Sequence, residues 1–382
     1  MAGRNQAFST LEFKFRLSQV QSAMAQRDID LLVVHSPENI YYLTGHQTSG
    51  YFAYQVLFVP QSGLPRLLLR YLEKGNVAEY SWLGGADTWK EGDDLAVRSL
   101  DVLNDLDGPK RTVGLEKGCW FLTAKMAEAL TVELSKGLPG VRIADATLLI
   151  DQIRVIKSEM EIRYLKQAGA VAEIEMRAAI EGLCHGVTEA QIAAAVYQAG
   201  IQAGCEYTGL PHHIMSGYRY DVCHANWSPK VIKHGELVLL ELYGCVERYH
   251  STQMRTVSIG DPPDEVKHAV DVVLAAQDAG LSAMGPGASS LEIDTLVRTA
   301  IRKIRPDYFN RTGYSTGIGF PPKTAEWEAL DFNEQHDWEV KEGMVFHMLA
   351  LAGGFGISET VAVTGTGIER LTPTNERALI IR

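Results

Sequence analysis

Apolar positions in the first part of the chain recur at two spacings that alternate. Over residues 8–27, Leu11, Phe15, Leu17, Val20 and Met24 fall near helical spacing, whereas LLVVH (31–35) is a short continuous apolar run of the kind a buried strand makes. YQVLFVP (54–60), PRLLLR (65–70) and VGLEK (113–117) read as further strands, and SPENIYYLTG (36–45) as a turn plus a short aromatic stretch. Helices are expected near 73–80 and 121–136. The alternation predicts an α/β domain over residues 1–153.

A different order governs residues 154–382. Ser158 followed by Glu161 is a capping-box signal, and apolar residues at helical spacing continue to about Ile180. Thr188 caps a second expected helix, and strands follow at about 236–243 and 246–258. DPPDEVKHAVDVVLAAQDAGLSAM and SSLEIDTLVRTAIRKI then predict two more helices, with strands at about 343–350, 357–364 and 376–381. Two helices then strands, twice over, implies an internal duplication of topology without a residue-level repeat. The expected fold class is α+β: an α/β domain followed by a curved antiparallel sheet with helices on one face and a site on the other.

One position breaks the pattern. In GELVLLELYG (235–244) the apolar run Val238–Leu240 is interrupted by Glu241, and a carboxylate inside an apolar strand is costly unless it is paired or used. A salt-bridged core glutamate would satisfy the same pattern. Other polar groups interrupt strands at His347 (VFHML), at Glu359 (GISETV) and in Arg248-Tyr249-His250.

Composition narrows the class of partner. The formal net charge of −11 and the absence of a basic block argue against nucleic acid and anionic membrane, and favour a small-molecule substrate. No segment has the make-up of a secretory signal, and no run of 18 apolar residues exists. Five scattered cysteines without a C-x-x-C pair fit reduced thiols, so a cytoplasmic location is expected. The glycines at 313, 317 and 319 lack the strand and helix of a dinucleotide loop and are followed by Pro321-Pro322. No cofactor is expected.

IRVIKSEMEIRYLKQAG resembles the helix entry of the creatinase, prolidase and aminopeptidase P superfamily, the pita-bread enzymes, and SPENIYYLTG resembles their N-terminal domain. The resemblance spans essentially the whole chain and implies a creatinase-like domain over 1–153 and a pita-bread catalytic domain over 154–382. It also implies a homodimer in which the first domain of one subunit closes over its partner's site, with Tyr51 and Phe52 of TSGYFAY as candidate pocket residues. The peptidases of this superfamily hold two metal ions with two Asp, one His and two Glu. The corresponding positions here are Glu241, Thr252, Thr316, Leu349 and either Glu359 or, in an ungapped register, Ser358. Such a set cannot hold a dinuclear centre, so no metal is expected.

Creatinase is a metal-free member, and His224 in DVCHANW sits at its proton-shuttling position. Creatinase carries Asn at the Glu241 position and Glu at the Met254 position, so a guanidinium-binding carboxylate is missing here. The ectoine-hydrolase branch resembles this chain more closely, through Glu241, Gly244, Arg248-Tyr249-His250, His224 with Trp227, RTGYSTGIGFPP (311–322), Phe346-His347 and Ser358-Glu359. After Pro322 the chain departs from that branch, reading KTAEWEALDFNEQHDW.

The resemblance implies a metal-independent hydrolase that cleaves a C–N bond of a small nitrogenous metabolite, by ring opening of ectoine or 5-hydroxyectoine. Glu241 would be nucleophile or base, His224 and His347 would manage protons, and Glu359 would orient a histidine or hold a cationic nitrogen. Trp227 and Tyr314 are candidates for packing on a delocalised cation, with Tyr249 and His250 also facing substrate. The alternatives are a creatinase-like or other cyclic amide or amidine hydrolase, a metal-dependent Xaa-Pro peptidase or lyase, and a binding protein without catalysis.

Overall fold

A computed structural model describes residues 4–382. The chain divides into two compact units, Met1–Arg154 and Val155–Arg382.

The first unit has α1 (Thr10–Gln26), β1 (Leu31–Val34), α2 (Pro37–Thr44), β2 (Val56–Pro60), β3 (Arg66–Arg70), α3 (Lys74–Tyr80), β4 (Asp87–Trp89), α4 (Leu95–Asn104), β5 (Thr112–Leu115), α5 (Ala124–Gly137), β6 (Arg142–Asp145) and α6 (Asp151–Arg154). Its six strands lie in the order β4-β3-β2-β1-β5-β6. Val33, Phe58, Leu68 and Leu115 share a core with Val102, Leu103 and Leu134 of α4 and α5. Two expectations are corrected here. The buried face of α1 is Phe13, Arg16, Leu17, Val20 and Met24, while Leu11 is 79% and Phe15 58% exposed. SPENIYYLTG forms helix α2 rather than a turn: Ser36 caps its first turn, Pro37 opens it and Gly45, at φ 73°, ends it.

The second unit opens with α7 (Glu159–Gly182), whose Ser158–Glu161 capping box forms as expected. It continues through α8 (Glu189–Gln202), β7 (His213–Ser216), β8 (Leu237–Val246) and β9 (Tyr249–Ser258). Then come α9 (Asp264–Ala283), α10 (Ser290–Ile301), β10 (Gly313–Ser315), β11 (Asp331–Phe332), β12 (Val345–Ala352), β13 (Phe355–Thr364), β14 (Gly367–Arg370) and β15 (Ile380–Ile381). The central strand order is β11-β10-β12-β13-β9-β8-β7. Two helices followed by β7-β8-β9 are thus answered by two helices followed by β10-β12-β13, with β9 and β13 meeting in the middle. The antiparallel sheet, helices on one face and doubled topology are those of the pita-bread fold, and the class is α+β.

Side-chain parity sets the two faces of this sheet. Val238, Leu240 and Leu242 of β8 and Val257 of β9 pack with Met176 and Ile180 of α7 and Val196 of α8. Ala350 and Ala352 of β12 and Phe355 and Ile357 of β13 pack with Ala269 and Val273 of α9. Gly244 lets β8 approach α7, since a Cβ there would lie 1.9 Å from the Ala168 carbonyl oxygen. Glu241 and Tyr243 therefore point to the face opposite the helices.

Candidate active site

Strand register builds the site as two rows on the helix-free face. In one row His213 of β7, Glu241 of β8, Met254 of β9, Ser358 of β13 and Leu349 of β12 are successive cross-strand partners. In the next, Tyr243 pairs with Thr252, Thr360 pairs with His347, and His347 pairs with Tyr314 of β10. The Thr252 N–H donates to the Thr360 hydroxyl at 2.8 Å and joins the two halves of that row.

Glu241 is the one carboxylate in these rows. Burial raises its pKa from the ordinary carboxylate value to about 7, opposed by a hydrogen bond from the Tyr243 side chain. Tyr243 itself is pushed well above the usual phenol range, first by burial and then by the negative charge of Glu241. The pKa of Glu241 is thus displaced toward the neutral range, which suits a group that must give and take charge.

The structure divides the expected histidines. His347 is fully buried, and burial lowers its pKa to about 3, so it stays neutral. Its Nδ1 lies 2.8 Å from the Tyr314 hydroxyl and its Nε2 2.5 Å from Ser358 Oγ. His224 lies on an exposed loop with a left-handed backbone, φ 58°, and its ring centroid is 5.6 Å from that of His213. His250 has both ring nitrogens engaged: Nε2 accepts from the Gly209 N–H at 3.0 Å, which leaves Nδ1–H to donate to the Arg248 carbonyl at 3.0 Å. It therefore braces the β8–β9 hairpin, whose turn residues Glu247 and Arg248 both have positive φ.

Three other expected residues, Glu359 as a catalytic group and Tyr249 and Trp227 as substrate contacts, lie with the helices, and their assignment to the site is corrected. Glu359 points to the helix face, where it pairs with Arg255 at 2.7 Å and accepts from the Thr372 hydroxyl at 2.6 Å. Tyr249 donates its hydroxyl to Glu161 of α7 at 2.8 Å. Trp227 packs edge-on against Tyr197 of α8, 5.4 Å between centroids, at the margin of the α7–α8 core. Tyr51 and Phe52 belong to the first unit, where Tyr51 packs on Phe121 and Phe52 is 79% exposed.

One site residue escaped the sequence reading. His213 is only 2% exposed, is the direct strand partner of Glu241, and meets the Tyr243 ring edge-on at 5.7 Å. Neither of its ring nitrogens has a well-formed hydrogen bond; the Ala225 backbone comes near one. Burial, with the nearby His224, lowers its pKa to about 4, so it is a neutral imidazole with spare hydrogen-bonding capacity facing Glu241. The signal was present in PHHIMSG, a short β-like run between Pro211 and Gly217 that opens on two histidines. Ser358, named from the sequence only as an alternative last ligand position, lies in the same row as Glu241.

The loop after Pro322 is pinned from beneath. Lys157 and Glu326 form a buried ion pair at 2.6 Å, with the Ser315 hydroxyl 3.2 Å from the same carboxylate. This places the Trp327 ring 6.3 Å from Tyr314, edge to face. Arg311 is the cation that approaches Tyr314, 5.8 Å from its centroid and paired with Asp331 at 3.6 Å.

Residues 163–365 match the model of metallopeptidase family M24, and residues 16–156 match the creatinase/prolidase N-terminal domain. The chain belongs to metallopeptidase family M24. The uncharacterized hydrolase/peptidase y4tM of Sinorhizobium fredii is 33% identical over 98% of both chains. The ectoine hydrolase of Halomonas elongata is 27% identical over 95% of this chain and 96% of its own. The crystal structure of the prolidase from Pyrococcus horikoshii OT3 aligns with TM-score 0.81 at 25% identity, covering 96% of this chain and all of that one. This chain is a hydrolase of the M24 family, and its similarity to the ectoine hydrolase and to the prolidase is comparable.

The family name implies bound metal, and the donors on this face do not fit it. The strand rows put Glu241, Thr252, Leu349 and Ser358 together, so the ungapped register holds and Ser358, not Glu359, stands at the last ligand position. Thr316 spends its hydroxyl on the His250 carbonyl. One carboxylate, two threonines, a serine and a leucine do not make a dinuclear site. Among the described residues no group of three or more His, Cys, Asp or Glu is arranged to hold an ion. Among the described residues, too, no helix is long and apolar enough to cross a membrane.

Proposed function

We propose that this chain is a metal-independent hydrolase that opens a C–N bond of a small nitrogenous metabolite, with the ring of ectoine or 5-hydroxyectoine as the first substrate to test. The observation that supports this reading is a carboxylate with a pKa of about 7, the one carboxylate among the family's five ligand positions, the others being Thr252, Thr316, Leu349 and Ser358. Hydrolysis there falls to Glu241, which attacks the electrophilic carbon or deprotonates the water that does. His213, the strand partner of Glu241, and His224, 5.6 Å from it between ring centroids, are the groups we propose to relay a proton to the departing nitrogen. The aromatic walls of Tyr243 and Tyr314 with the negative Glu241 favour a planar cation such as an amidinium. A homodimer in a cytoplasmic setting belongs to the same proposal, and light scattering of the active protein showing a monomer would remove the dimer.

The prolidase likeness favours a second reading, a peptidase that acquires metal by another ligand set. A panel of ectoine, 5-hydroxyectoine, creatine and an Xaa-Pro dipeptide separates the two. Release of ring-opened product from the first two supports the proposal, and turnover of the dipeptide alone contradicts it.

The pH profile carries a further expectation. Glu241 acts as its anion, so kcat/KM falls about tenfold per unit below pH 7 and levels off above it. Neither His213 nor His347 titrates in this range, so no second limb arises from them. A rate independent of pH between 5 and 8 would contradict the role of Glu241.

A further inference from the structure

The hydrogen bonds around His347 run in one direction through the buried Ser358 and His347 to the partly exposed Tyr314. Ser358 is fully buried, and among the described residues its hydroxyl has one partner, His347 Nε2 at 2.5 Å. If Nε2 carried the proton, the Ser358 hydrogen would be left in the sheet without an acceptor, at the full cost of a buried orphan. The arrangement that satisfies every group has Ser358 O–H donating to Nε2, so the ring proton sits on Nδ1. Nδ1–H then donates to the Tyr314 oxygen at 2.8 Å. The phenolic hydrogen of Tyr314 is the one donor in the chain left over, and Tyr314 is partly exposed on the face that holds Glu241.

We propose that Ser358, His347 and Tyr314 form a one-way donor chain that presents the Tyr314 hydroxyl hydrogen to the substrate heteroatom gaining electron density as Glu241, or the water it activates, bonds to carbon. Tyr314 is the catalytic residue of the chain, and His347 and Ser358 are positioning residues. As the new bond forms, the π pair of the C=N or C=O bond moves to its heteroatom. Tyr314 holds that lone pair by a hydrogen bond and keeps its proton. Donors in series polarise one another, so a hydroxyl already accepting from His347 is a stronger donor than an isolated phenol. This changes the expected task of His347, which is to fix the hydroxyl rather than to carry protons. It also gives the lost metal-ligand position, Ser358, a use. The inference rests on the reading of Glu241 as the attacking or activating group.

The chain is tested first without substrate. Nitrogen-15 NMR of histidine-labelled protein reports which ring nitrogen of His347 is protonated, with His347→Asn identifying its signals. The expected result is a neutral Nδ1–H ring throughout pH 5–8, its preference weakened in Ser358→Ala and restored in Ser358→Thr. An Nε2–H ring, or one that protonates in this range, overturns the chain whatever the substrate. The second arm uses ectoine, or the panel member that is turned over. Tyr314→Phe is expected to lower kcat about 10²-fold with a smaller change in KM, as for the loss of one preorganised donor. Undiminished kcat in Tyr314→Phe, with Glu241→Gln inactive, overturns the chain and leaves the proposed hydrolase standing. Inactivity of the unsubstituted protein on the whole panel strikes the substrate reading, while the NMR arm still decides the chain.

Discussion

Replacing Glu241 by Gln is expected to lower kcat by about 10²–10⁴-fold while the protein stays folded. Gln keeps the size of the side chain and can still accept from Tyr243, but it cannot attack carbon or take a proton from water. The same substitution stabilises the fold above neutral pH. In the unfolded chain Glu241 ionises near the ordinary carboxylate value of 4.5, whereas in the folded protein it holds its proton to about 7. Between those values the folded state binds more protons than the unfolded one, so stability falls as pH rises and stays lower above 7. Gln removes this loss, which at about 1.4 kcal/mol per pKa unit amounts to roughly 3 kcal/mol at most. Thermal unfolding at pH 8 and pH 5 checks it: the variant gains over the wild type at pH 8 and much less at pH 5. A variant that is inactive and less stable at both pH values would mean that Glu241 is a structural carboxylate.

Glu359 gives the opposite result. Glu359→Ala destabilises the second unit by about 3–5 kcal/mol, because it strands Arg255 in the core. Arg255 is only 1% exposed and donates to the carbonyls of Met254, Ser358, Asn375 and Glu376, so it ties β9, β13 and the C-terminal segment together around the Glu359 carboxylate. The expected fall in melting temperature is roughly 10 °C. Activity per folded molecule should change far less than in Glu241→Gln, and Glu359→Gln should be milder than Ala because it still accepts hydrogen bonds. A Glu359 variant that melts normally yet loses turnover would return this residue to the site.

These contrasting fates mark what the sequence could disclose. Glu241 was legible because a carboxylate that splits an apolar run is a local signal. The capping box of α7, the Thr188 cap of α8, the long helices and the paired strands were legible for the same reason. Glu359 was misplaced because Ser358 and Glu359 are neighbours in one strand, and a shift of one residue exchanges the faces of a sheet. The parity is set by Ser358 pairing with Met254, about a hundred residues away. Tyr249 fell to the same ambiguity, since its partner across the hairpin, Val246, faces the helices with it. His250 was read as available because the Gly209 N–H that occupies it comes from the segment before β7. His213 was missed because β7 is four residues long and carries little periodicity. Helix α2 was misread although Ser36, Pro37 and Gly45 marked both of its ends, because it is eight residues long and buried all round, so its apolar positions show no helical period.

Hydrolysis of a small C–N substrate by Glu241, without the metal pair used by the peptidases of this family, is the proposal on which the others depend. It is tested most directly by proton NMR of ectoine incubated with protein dialysed against a strong chelator and then assayed with chelator present. The account predicts acetyl signals of ring-opened acetyl-diaminobutyrate at a rate unchanged by the chelator and not raised by added manganese, cobalt or zinc. Product that appears only after one of those ions is restored would contradict it.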